Sequence, residues 1–307
     1  MNQTTQYLHD QIGIVILNYN GSTKNIDCLK SIFSQSHPNA KVIFVDNNSK
    51  DDSILLVQQF CHENSIESVL LGETQIQEGK IYNQKLIIIK NSENKGYSFG
   101  NNVGMKFAKT NIENISNILI LNNDVVIPTN YLESLLKRYH SLQSTYRTKK
   151  IALGSPEYSL NGKITHHGFH YLNLSSGLVF KYPVAPYYSY LVGASIFLDN
   201  DPPLFDDSYF LYFDDAEYTK ILQSQNYKIE SLNDSSYIHD QGFSTKKRND
   251  LTGIHYASMR IFYKKYYPIY IPLVFVIRFF INLLRADFIK NKLLYNLYLK
   301  NQTDKPS

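Results

Sequence analysis

The chain contains three sets of side chains that could carry out chemistry on a polar substrate. They are Asp46 and Asp124, each at the end of an apolar run, the acidic cluster of Asp214, Asp215 and Glu217, and His239 in a polar loop. A carboxylate at the end of a strand can hold a divalent metal that carries phosphate oxygens. A partly buried carboxylate with like-charged neighbours has a raised pKa, which suits a general base. A neutral imidazole can complete a metal site or contact phosphate.

Each of these residues also has a purely structural explanation. The run Asn122-Asn123-Asp124 is of a type that favours turns, and Asp46 can cap the helix that follows it. Acids in the first turn of a helix suit the helix dipole, which accounts for any single member of the acidic cluster. A single histidine in a loop is more often structural than a ligand. The choice depends on the elements that position these side chains.

Four short apolar runs predict strands that are buried on both faces, at residues 12–17, 41–45, 86–90 and 118–121. Helices are predicted from 22 to about 34, from 51 to 63, through Ala108 and from 129 to 140. Residues 67–84 show no period and are predicted as a loop. Strands that alternate with helices at this spacing predict a parallel, doubly wound α/β sheet.

Polar residues follow all four predicted strands. They are Asn18 with Asn20, Asp46 with Asn48, Asn94-Lys95-Gly96, and Asn122-Asn123-Asp124. The carboxyl ends of parallel strands lie at one edge of a sheet, where ligands bind in open α/β folds, so one crevice is predicted. No glycine-rich phosphate loop follows the first strand, which argues against a P-loop enzyme and a dinucleotide-dependent dehydrogenase. A metal on Asp124 would then neutralise nucleotide phosphates, and Asp46 would accept a hydrogen bond from a base or ribose.

The second half of the chain is less regular. Residues 151–180 are predicted to form strands and loops, and 190–198 one strand interrupted at Gly193-Ala194-Ser195. Residues 214–225 are predicted to form a helix that opens with the acidic cluster. From about residue 253 the chain is predicted to be helical, basic and aromatic.

The composition fits a globular protein with a high aromatic content: 43% hydrophobic residues, 25 Tyr, 17 Phe and no Trp. The modest net charge of +4 does not favour a nucleic-acid partner. Cys28 and Cys61 show neither metal spacing nor a disulfide framework, so a reducing, cytoplasmic location is expected. The polar N-terminus does not resemble a secretory signal. His166, His167 and His170 are not predicted as a metal site, because no cysteine or acid accompanies them at ligand spacing.

Residues 268–284 are the most apolar stretch, with lysines and arginines on both sides. The stretch is shorter than the roughly 20 residues of a spanning helix, and it contains Pro272 and Arg278. An interfacial helix in peripheral contact with an anionic membrane is one interpretation. A helix that packs on the rest of the chain, or at a homodimer interface, is the other.

Seven segments, in order, resemble the family 2 glycosyltransferases, specifically the bacterial branch that includes rhamnosyltransferase-like enzymes of polysaccharide assembly. The segments are ILNYNG (16–21), VDNNSKDDS (45–53), NKGYSFGNNVGMKFA (94–108), LNNDVVI (121–127), GASIFL (193–198), FDDSYFLYFDDAEY (205–218) and HDQGFS (239–244). The resemblance covers residues 12–265, give or take a few. Single motifs of this kind are weak, but seven in order are strong evidence.

The resemblance implies a GT-A fold, a Rossmann-like and mostly parallel sheet with helices on both faces. It implies inverting transfer from a nucleotide-sugar donor, with UDP- or dTDP-sugars favoured, and a divalent metal, Mn²⁺ or Mg²⁺. Residues 1–250 would form the catalytic domain, with a nucleotide-binding half at 12–150 and an acceptor half at 151–250, and 251–307 a helical extension. The acceptor would be a glycan, commonly lipid-linked, which places the enzyme at the inner face of a bacterial inner membrane.

The resemblance also implies roles for individual residues. Asp215 would be the catalytic base, beside Asp214 where the family often has glutamate. Asp124 would bind the metal, with His239 near it, whereas Asn122 stands where another acid often stands. The remaining implied contacts are to the nucleotide for Asn18, Asn20, Asp46, Asn48, Lys95, Gly96 and Asn123, and to the acceptor sugar for Gly193, Ala194, Ser195 and Glu217.

Two other functions stay open at this point. Asn122 and Asp214 depart from the family pattern, so a catalytically inactive sugar-binding or scaffold protein of the same fold is one alternative. A nucleotidyltransferase is the other, because it uses a similar crevice. It would need a glycine-rich loop with Arg or Lys after the first strand, and residues 18–24 do not supply one.

Overall fold

A mixed eight-stranded sheet with helices on both faces forms the centre of the structure, which is a computed structural model. The structure describes residues 7, 9–239, 251–284, 290–292 and 294–295. The strands are β1 (Gln11–Asn18), β2 (Ala40–Asp46), β3 (Ser68–Gly72), β4 (Leu86–Lys90), β5 (Ile115–Asn122), β6 (Val125–Val126), β7 (Ile151–Gly154), β8 (Pro156–Ser159), β9 (Ile164–His167), β10 (Phe169–Asn173), β11 (Val179–Phe180), β12 (Tyr187–Leu191), β13 (Ser195–Leu198), β14 (Lys228–Ser231) and β15 (Tyr237–His239). The helices are α1 (Ser22–Phe33), α2 (Ser53–Glu63), α3 (Tyr97–Asn111), α4 (Tyr131–Tyr146), α5 (Asp214–Ser224), α6 (Leu251–Tyr266) and α7 (Ile271–Leu284).

The strands of the central sheet lie in the order β14-β7-β13-β5-β1-β2-β4-β3. Strand β13 runs antiparallel to both of its neighbours, and the other seven strands share one direction. The predicted α/β sheet with helices on both faces is confirmed, with this one reversed strand. Two smaller sheets, β11-β10-β12 and β6-β15-β8-β9, lie beside it.

Both faces of the central strands are buried, which explains why their sequences are continuously apolar. Successive side chains of a strand point to opposite faces. In β1, Ile14 and Ile16 belong to a core with side chains of α1, α2 and α4, whereas Val15 belongs to a core with side chains of α3 and α5. A strand covered on one face only would alternate between apolar and polar residues.

Three predictions about the strands were wrong. His239, predicted to lie in a loop, is the last residue of β15. Residues 67–84, predicted as a loop, contain β3, which pairs with β4 at the edge of the sheet. Leu70 of this edge strand is 41% exposed, because only one side of an edge strand is covered, and the run therefore lacks the signal of a central strand. Residues 190–198, predicted as one interrupted strand, contain the end of β12 and all of β13, which belong to different sheets.

Helices α6 and α7 pack against the small antiparallel sheet and against α5. They confirm the prediction that the C-terminal part is helical. A third core joins Leu172 and Tyr188 of that sheet to Phe262 of α6 and Val274 of α7. The guanidinium of Arg278 donates hydrogen bonds to backbone carbonyls of the loop between β10 and β11. In the part of the chain that the structure describes, no helix combines the length and apolar content that a membrane crossing needs.

Candidate active site

The carboxyl ends of β1, β2 and β5 meet at one edge of the sheet and are joined by side-chain amides. Asn18 Nδ2 donates to Asp46 Oδ1 at 2.7 Å, and Asn123 Nδ2 donates to Asn18 Oδ1 at 2.9 Å. Asn123 also donates to Asn25 of α1 at 2.8 Å. The structure thus brings together the polar strand ends, and Asn123 braces the strands instead of acting only as a turn residue.

Asp46 is fully buried, and both of its carboxylate oxygens accept hydrogen bonds from the protein. Ser49 Oγ donates to Oδ1 at 2.5 Å, and the Ser49 amide donates to Oδ2 at 2.9 Å. These contacts fix the loop between β2 and α2. A contact between Asp46 and a nucleotide base stays a prediction.

Asn20 and Asn48 hold the two neighbouring loops together. Both have left-handed backbone conformations, with φ of 56° and 60°. The Asn20 amide donates to Ser49 Oγ at 2.9 Å, and Asn48 Nδ2 donates to the Ser92 carbonyl at 2.8 Å. A Cβ on Gly21 would collide with the amide side chains of Asn18 and Asn123, so the turn after β1 requires glycine.

Gly96 marks a close approach between the start of α3 and the segment that precedes α5. Its φ is +98°, and a Cβ there would collide with the backbone of Phe210. The next amide, Tyr97, donates to the Phe210 carbonyl at 2.7 Å. Lys95 is half exposed and pairs with Glu93 at 2.9 Å. The glycine therefore positions the α5 segment, whereas a phosphate contact of Lys95 stays a prediction.

A cavity of about 380 Å³ adjoins these strand ends. Asn122 follows β5 at one wall, Gly193 and Ala194 precede β13, and Asp214 and Asp215 start α5. Ser195 does not contribute its hydroxyl to the cavity, because it hydrogen-bonds to Tyr131 on the opposite side at 2.7 Å and is 1% exposed.

Glu217 lies one helical turn after the acidic pair and is not among the residues that line the cavity. Its carboxylate accepts hydrogen bonds from Lys265 Nζ at 2.6 Å and from the hydroxyl of Tyr266 at 2.8 Å, both in α6. Tyr209 donates to it from a third side. These contacts assign Glu217 to the anchoring of α6, and they do not favour the contact with an acceptor sugar that was predicted from sequence.

Asp214 and Asp215 form a pair of carboxylates at the start of α5. Asp215 Oδ1 accepts the Ala216 amide at 2.8 Å, and the Gly193 amide also donates to this carboxylate. Burial raises the pKa of both groups well above the usual range, and the charge of Asp214 raises the pKa of Asp215 further. The pair therefore titrates as a unit in which one proton is held more tightly than by an ordinary aspartate.

The two residues before this pair are held in an unfavourable backbone conformation. Tyr212 and Phe213 have φ of 65° and 61°, which bulky residues rarely adopt. Such strain costs on the order of 1–3 kcal/mol for each residue and persists only where packing enforces it. The Phe213 ring packs at 5.5 Å from Phe262 and at 5.6 Å from His255, both in α6. Helix α6 thereby helps to fix the acidic pair.

We expect the Asp214→Asn variant to change the pH dependence of the reaction if Asp215 is the base. A base acts when it is deprotonated, so kcat/KM should rise with pH through its pKa. Removing the negative charge of Asp214 lowers the pKa of Asp215, and the acid limb should move to lower pH by on the order of one unit. Profiles of kcat/KM between pH 5 and 9 would measure this. A limb that stays in place, or moves to higher pH, would contradict the assignment.

Asp124 and His239 lie together, and His239 lines the cavity. His239 Nε2 is 3.0 Å from Asp124 Oδ1, and its Nδ1 is 2.8 Å from Glu157 Oε2. Burial lowers the pKa of His239, but the hydrogen bonds to both carboxylates outweigh it and raise the pKa to about 9. Burial likewise raises the pKa of Glu157, but hydrogen bonds from His166 and His239 hold it well below its usual range.

The Asp124–His239 pair fits a divalent metal in the chemistry of its donors. The carboxylate of Asp124 is 12% exposed and the imidazole of His239 is 11% exposed, and the two face each other at hydrogen-bond distance. Together they offer one oxygen and one nitrogen donor, a mixture that suits Mn²⁺. Among the described residues, no group of three or more His, Cys, Asp or Glu is arranged as a complete metal site. Of the described residues, Asp124 and His239 are the two that would hold the metal. Residues 240–244 of the HDQGFS segment lie outside the described residues.

Glu157 was missed in the sequence, and the reasoning about the histidine cluster was wrong as a result. An acid does accompany His166, because Glu157 faces it across the hairpin of β8 and β9. The turn residues Asn161-Gly162 were the available signal, since Asn-Gly favours a tight hairpin turn. Counting outward from that turn pairs the two residues.

The cavity also has an aromatic wall that the sequence did not indicate. Tyr190 of β12, His170 of β10 and His255 of α6 belong to it. Burial lowers the pKa of both His170 and His255 to about 4, and the charge of Arg278 lowers the pKa of His255 further. These imidazoles are therefore neutral at pH 7. They come from distant parts of the chain, so only the tertiary structure reveals them.

Comparison with known proteins places this geometry in a known context. The family model described as glycosyl transferase family 2 matches residues 13–173. The low-salt glycan biosynthesis hexosyltransferase Agl10 of Haloferax volcanii is 23% identical over 242 residues, which cover 77% of this chain and 69% of the relative.

Solved structures with a similar fold include two glycosyltransferases. S. aureus TarS residues 1–349 with UDP-GlcNAc superposes with a TM-score of 0.54 at 13% identity and covers 87% of this chain and 71% of that one. The mannosyltransferase PcManGT from Pyrobaculum calidifontis, in complex with GDP-Man and Mn²⁺, superposes with a TM-score of 0.53 at 10% identity and covers 97% and 76%. At this identity the likeness shows the fold, which agrees with the GT-A arrangement of a nucleotide-binding sheet and flanking helices.

Proposed function

Because the chain belongs to glycosyl transferase family 2, we propose that it transfers a hexosyl group, rhamnose-type sugars included, with inversion to a glycan hydroxyl. The donor is a nucleoside-diphosphate sugar, with UDP- and dTDP-sugars favoured. The observation that carries the proposal is the position of Asp214, Asp215 and His239 in the wall of one cavity, with Asp124 at 3.0 Å from His239. One site thus combines a base with a place for a diphosphate.

Asp124 and His239 would hold a divalent metal at the donor diphosphate. A metal bound there would neutralise the charge that develops on the leaving nucleoside diphosphate. The strand ends that carry Asn18, Asp46 and Asn48 would lie along the nucleoside. Their hydrogen bonds to each other preorganise this edge of the sheet before the donor arrives.

Asp215 would accept the proton of an acceptor hydroxyl as that oxygen attacks the anomeric carbon. The new C–O bond forms while the bond to the diphosphate oxygen breaks, and the nucleoside diphosphate leaves with the electron pair. A single displacement of this kind inverts the anomeric carbon. Burial and the neighbouring Asp214 raise the pKa of Asp215, which makes it a stronger base than an ordinary aspartate.

A donor screen tests the proposal directly. We expect a UDP- or dTDP-sugar with Mn²⁺ to raise the melting temperature and to be slowly hydrolysed to the nucleoside diphosphate. GDP-sugars are the matched comparison, since one structural neighbour is solved with GDP-Man. Stabilisation without hydrolysis or transfer to any glycan would favour an inactive sugar-binding protein. Release of pyrophosphate from a sugar phosphate and a nucleoside triphosphate would favour a nucleotidyltransferase.

The proposed enzyme would contact the cytoplasmic face of a bacterial membrane peripherally and bind a lipid-linked acceptor there. The exposed outer face of α7 supports this part of the proposal. Its exposed apolar side chains Leu273, Val276, Phe280 and Leu283 recur at intervals of three and four residues, which places them in one stripe. Ile269, just before the helix, and Leu284, its last residue, are exposed as well. Lys264 of α6, which is exposed, adds positive charge near the start of this stripe. An apolar stripe with basic residues beside it suits an anionic lipid surface.

Replacing Leu273, Val276 and Phe280 together by serine should lower binding to vesicles that contain anionic lipid at least tenfold. Each side chain contributes about 1.5–3 kcal/mol when it is buried in an apolar phase. Co-sedimentation with vesicles measures the bound fraction. The matched control replaces Leu55 and Leu160, which are exposed elsewhere, by serine. Equal binding by both variants would refute membrane contact through α7, and a dimer that only the α7 variant disrupts would assign the stripe to a second copy of the chain.

A further inference from the structure

We propose that Glu157 is a positioning residue for His239. It accepts a hydrogen bond from the Nδ1 proton of His239 and thereby directs the Nε2 of His239 toward Asp124. The inference rests on the proposed function, because it assigns this arrangement to the binding of metal and diphosphate at Asp124. It adds a buried residue that does not touch the metal.

Glu157 is fixed before His239 is considered. It lies in β8 and is 0% exposed. Thr165 Oγ1, on the paired strand β9, donates to its Oε1 at 2.6 Å. A buried carboxylate is unfavourable unless hydrogen bonds compensate for the lost water, so its partners define its orientation.

The position of the proton on His166 follows from the backbone. The Gly168 amide donates to His166 Nδ1 at 3.1 Å, so this nitrogen is an acceptor. The ring proton therefore lies on Nε2, which is 3.1 Å from Glu157 Oε2 and donates to it. Residue 166 is buried completely, which excludes exchange of this partner for water.

The same oxygen, Glu157 Oε2, lies 2.8 Å from Nδ1 of His239. An ionised carboxylate can only accept hydrogen bonds, so Nδ1 of His239 must carry a proton. The other ring nitrogen, Nε2, then faces Asp124 at 3.0 Å. If Nε2 and Asp124 held a metal, the proton on Nδ1 would stay hydrogen-bonded to Glu157. Carboxylates that hold metal-binding histidines in this way typically change metal affinity 10- to 100-fold when they are removed.

The test uses the full-length enzyme and the Glu157→Gln variant, which keeps the shape of the side chain but removes its charge. We expect the Kd for Mn²⁺, measured by titration in the presence of UDP, to weaken about 10- to 100-fold. The KM for Mn²⁺ should rise by a similar factor, and kcat at saturating Mn²⁺ should change much less. Nitrogen-15 spectra of the metal-free protein should also show that His239 has lost its fixed Nδ1 proton. A purely structural role for Glu157 would not produce this combination.

Asp199→Asn is the matched control. Asp199 is also a buried carboxylate, and both of its oxygens accept from the hydroxyl of Tyr227. It follows β13, which runs antiparallel to β5, so it lies at the edge of the sheet opposite the cavity. The Mn²⁺ affinity of the Asp199→Asn variant should equal that of the parent enzyme. If Glu157→Gln does not fold, Thr165→Val loosens Glu157 without removing its charge and should weaken Mn²⁺ binding severalfold.

The outcomes separate this inference from the proposed function. Unchanged Mn²⁺ affinity and an unchanged His239 spectrum in the folded variants would overturn the role of Glu157, while the parent still binds metal and transfers sugar. A parent enzyme that transfers sugar in EDTA and binds no Mn²⁺ would overturn both the metal assignment and the role of Glu157. A parent that binds Mn²⁺ but does not act on nucleotide sugars would overturn the proposed transfer alone.

Discussion

The Asp215→Asn variant should lose sugar transfer by about a thousandfold while it retains most of its affinity for the donor. General bases contribute typically 10²–10⁴ to a rate, and an amide cannot accept the proton of the acceptor hydroxyl. The size of the side chain is unchanged, so the hydrogen bonds to its oxygen from the Gly193 and Ala216 amides can persist. Transfer rates with saturating donor, together with donor affinity by calorimetry, measure the two effects separately.

The Asp214→Asn variant is the comparison that assigns the base. Asp214 is 8% exposed and lies beside Asp215. If Asp215 is the base, Asp214→Asn should retain substantial activity with a shifted pH profile. Parental activity in Asp215→Asn, with loss in Asp214→Asn, would assign the base to Asp214 instead.

The second large effect is expected at Asp124. Asp124→Asn removes the carboxylate that would hold the metal and leaves His239 with Glu157 as its remaining carboxylate partner. A metal at a leaving diphosphate is worth several kcal/mol, and each 1.36 kcal/mol is a factor of about ten in rate. Transfer should therefore fall on the order of a thousandfold, and the affinity for Mn²⁺ should fall with it.

Treatment of the parent enzyme with EDTA should cause a comparable loss that added Mn²⁺ reverses. The Asp201→Asn variant is a suitable control, because Asp201 is an exposed carboxylate that pairs with Lys109. We expect it to keep the parental rate. If Asp124→Asn and the EDTA-treated parent both transfer sugar at the parental rate, Asp124 is not a metal ligand in this reaction.

The sequence predicted those elements whose burial is uniform along a segment. The central strands have both faces covered, so each appears as an unbroken apolar run, and the polar residues after them are visible as interruptions. Strand β3 was missed because an edge strand is covered on one side only. Strands β12 and β13 were merged because their separation into two sheets depends on contacts with β10 and β5, which lie far away in the sequence.

The candidate site divides in a similar way. Asp124, Asp214 and Asp215 stand at the ends of elements, where local patterns locate them. The structure places Asp214 and Asp215 in the wall of the cavity and Asp124 beside His239, which lines the same cavity. Glu157 and His255 lie inside elements, so the patterns that mark element ends do not locate them. They reach the cavity through the pairing of β8 with β15 and through the packing of α6. Roles that depend on such contacts cannot be predicted from spacing along the chain.

The contacts between α5 and α6 determine where a chimera between this enzyme and another glycosyltransferase could be joined. Lys220 of α5 lies over the ring of Tyr188 at 4.1 Å and near that of Tyr267 at 5.0 Å, and Glu217 is bound by Lys265. A chimera joined at residue 250 would exchange α6, which contacts α5, together with α7. A junction after residue 270 would keep α6 and exchange α7 with the residues that follow it. Exchange of α7 should therefore preserve catalysis only when the crossover point lies beyond α6.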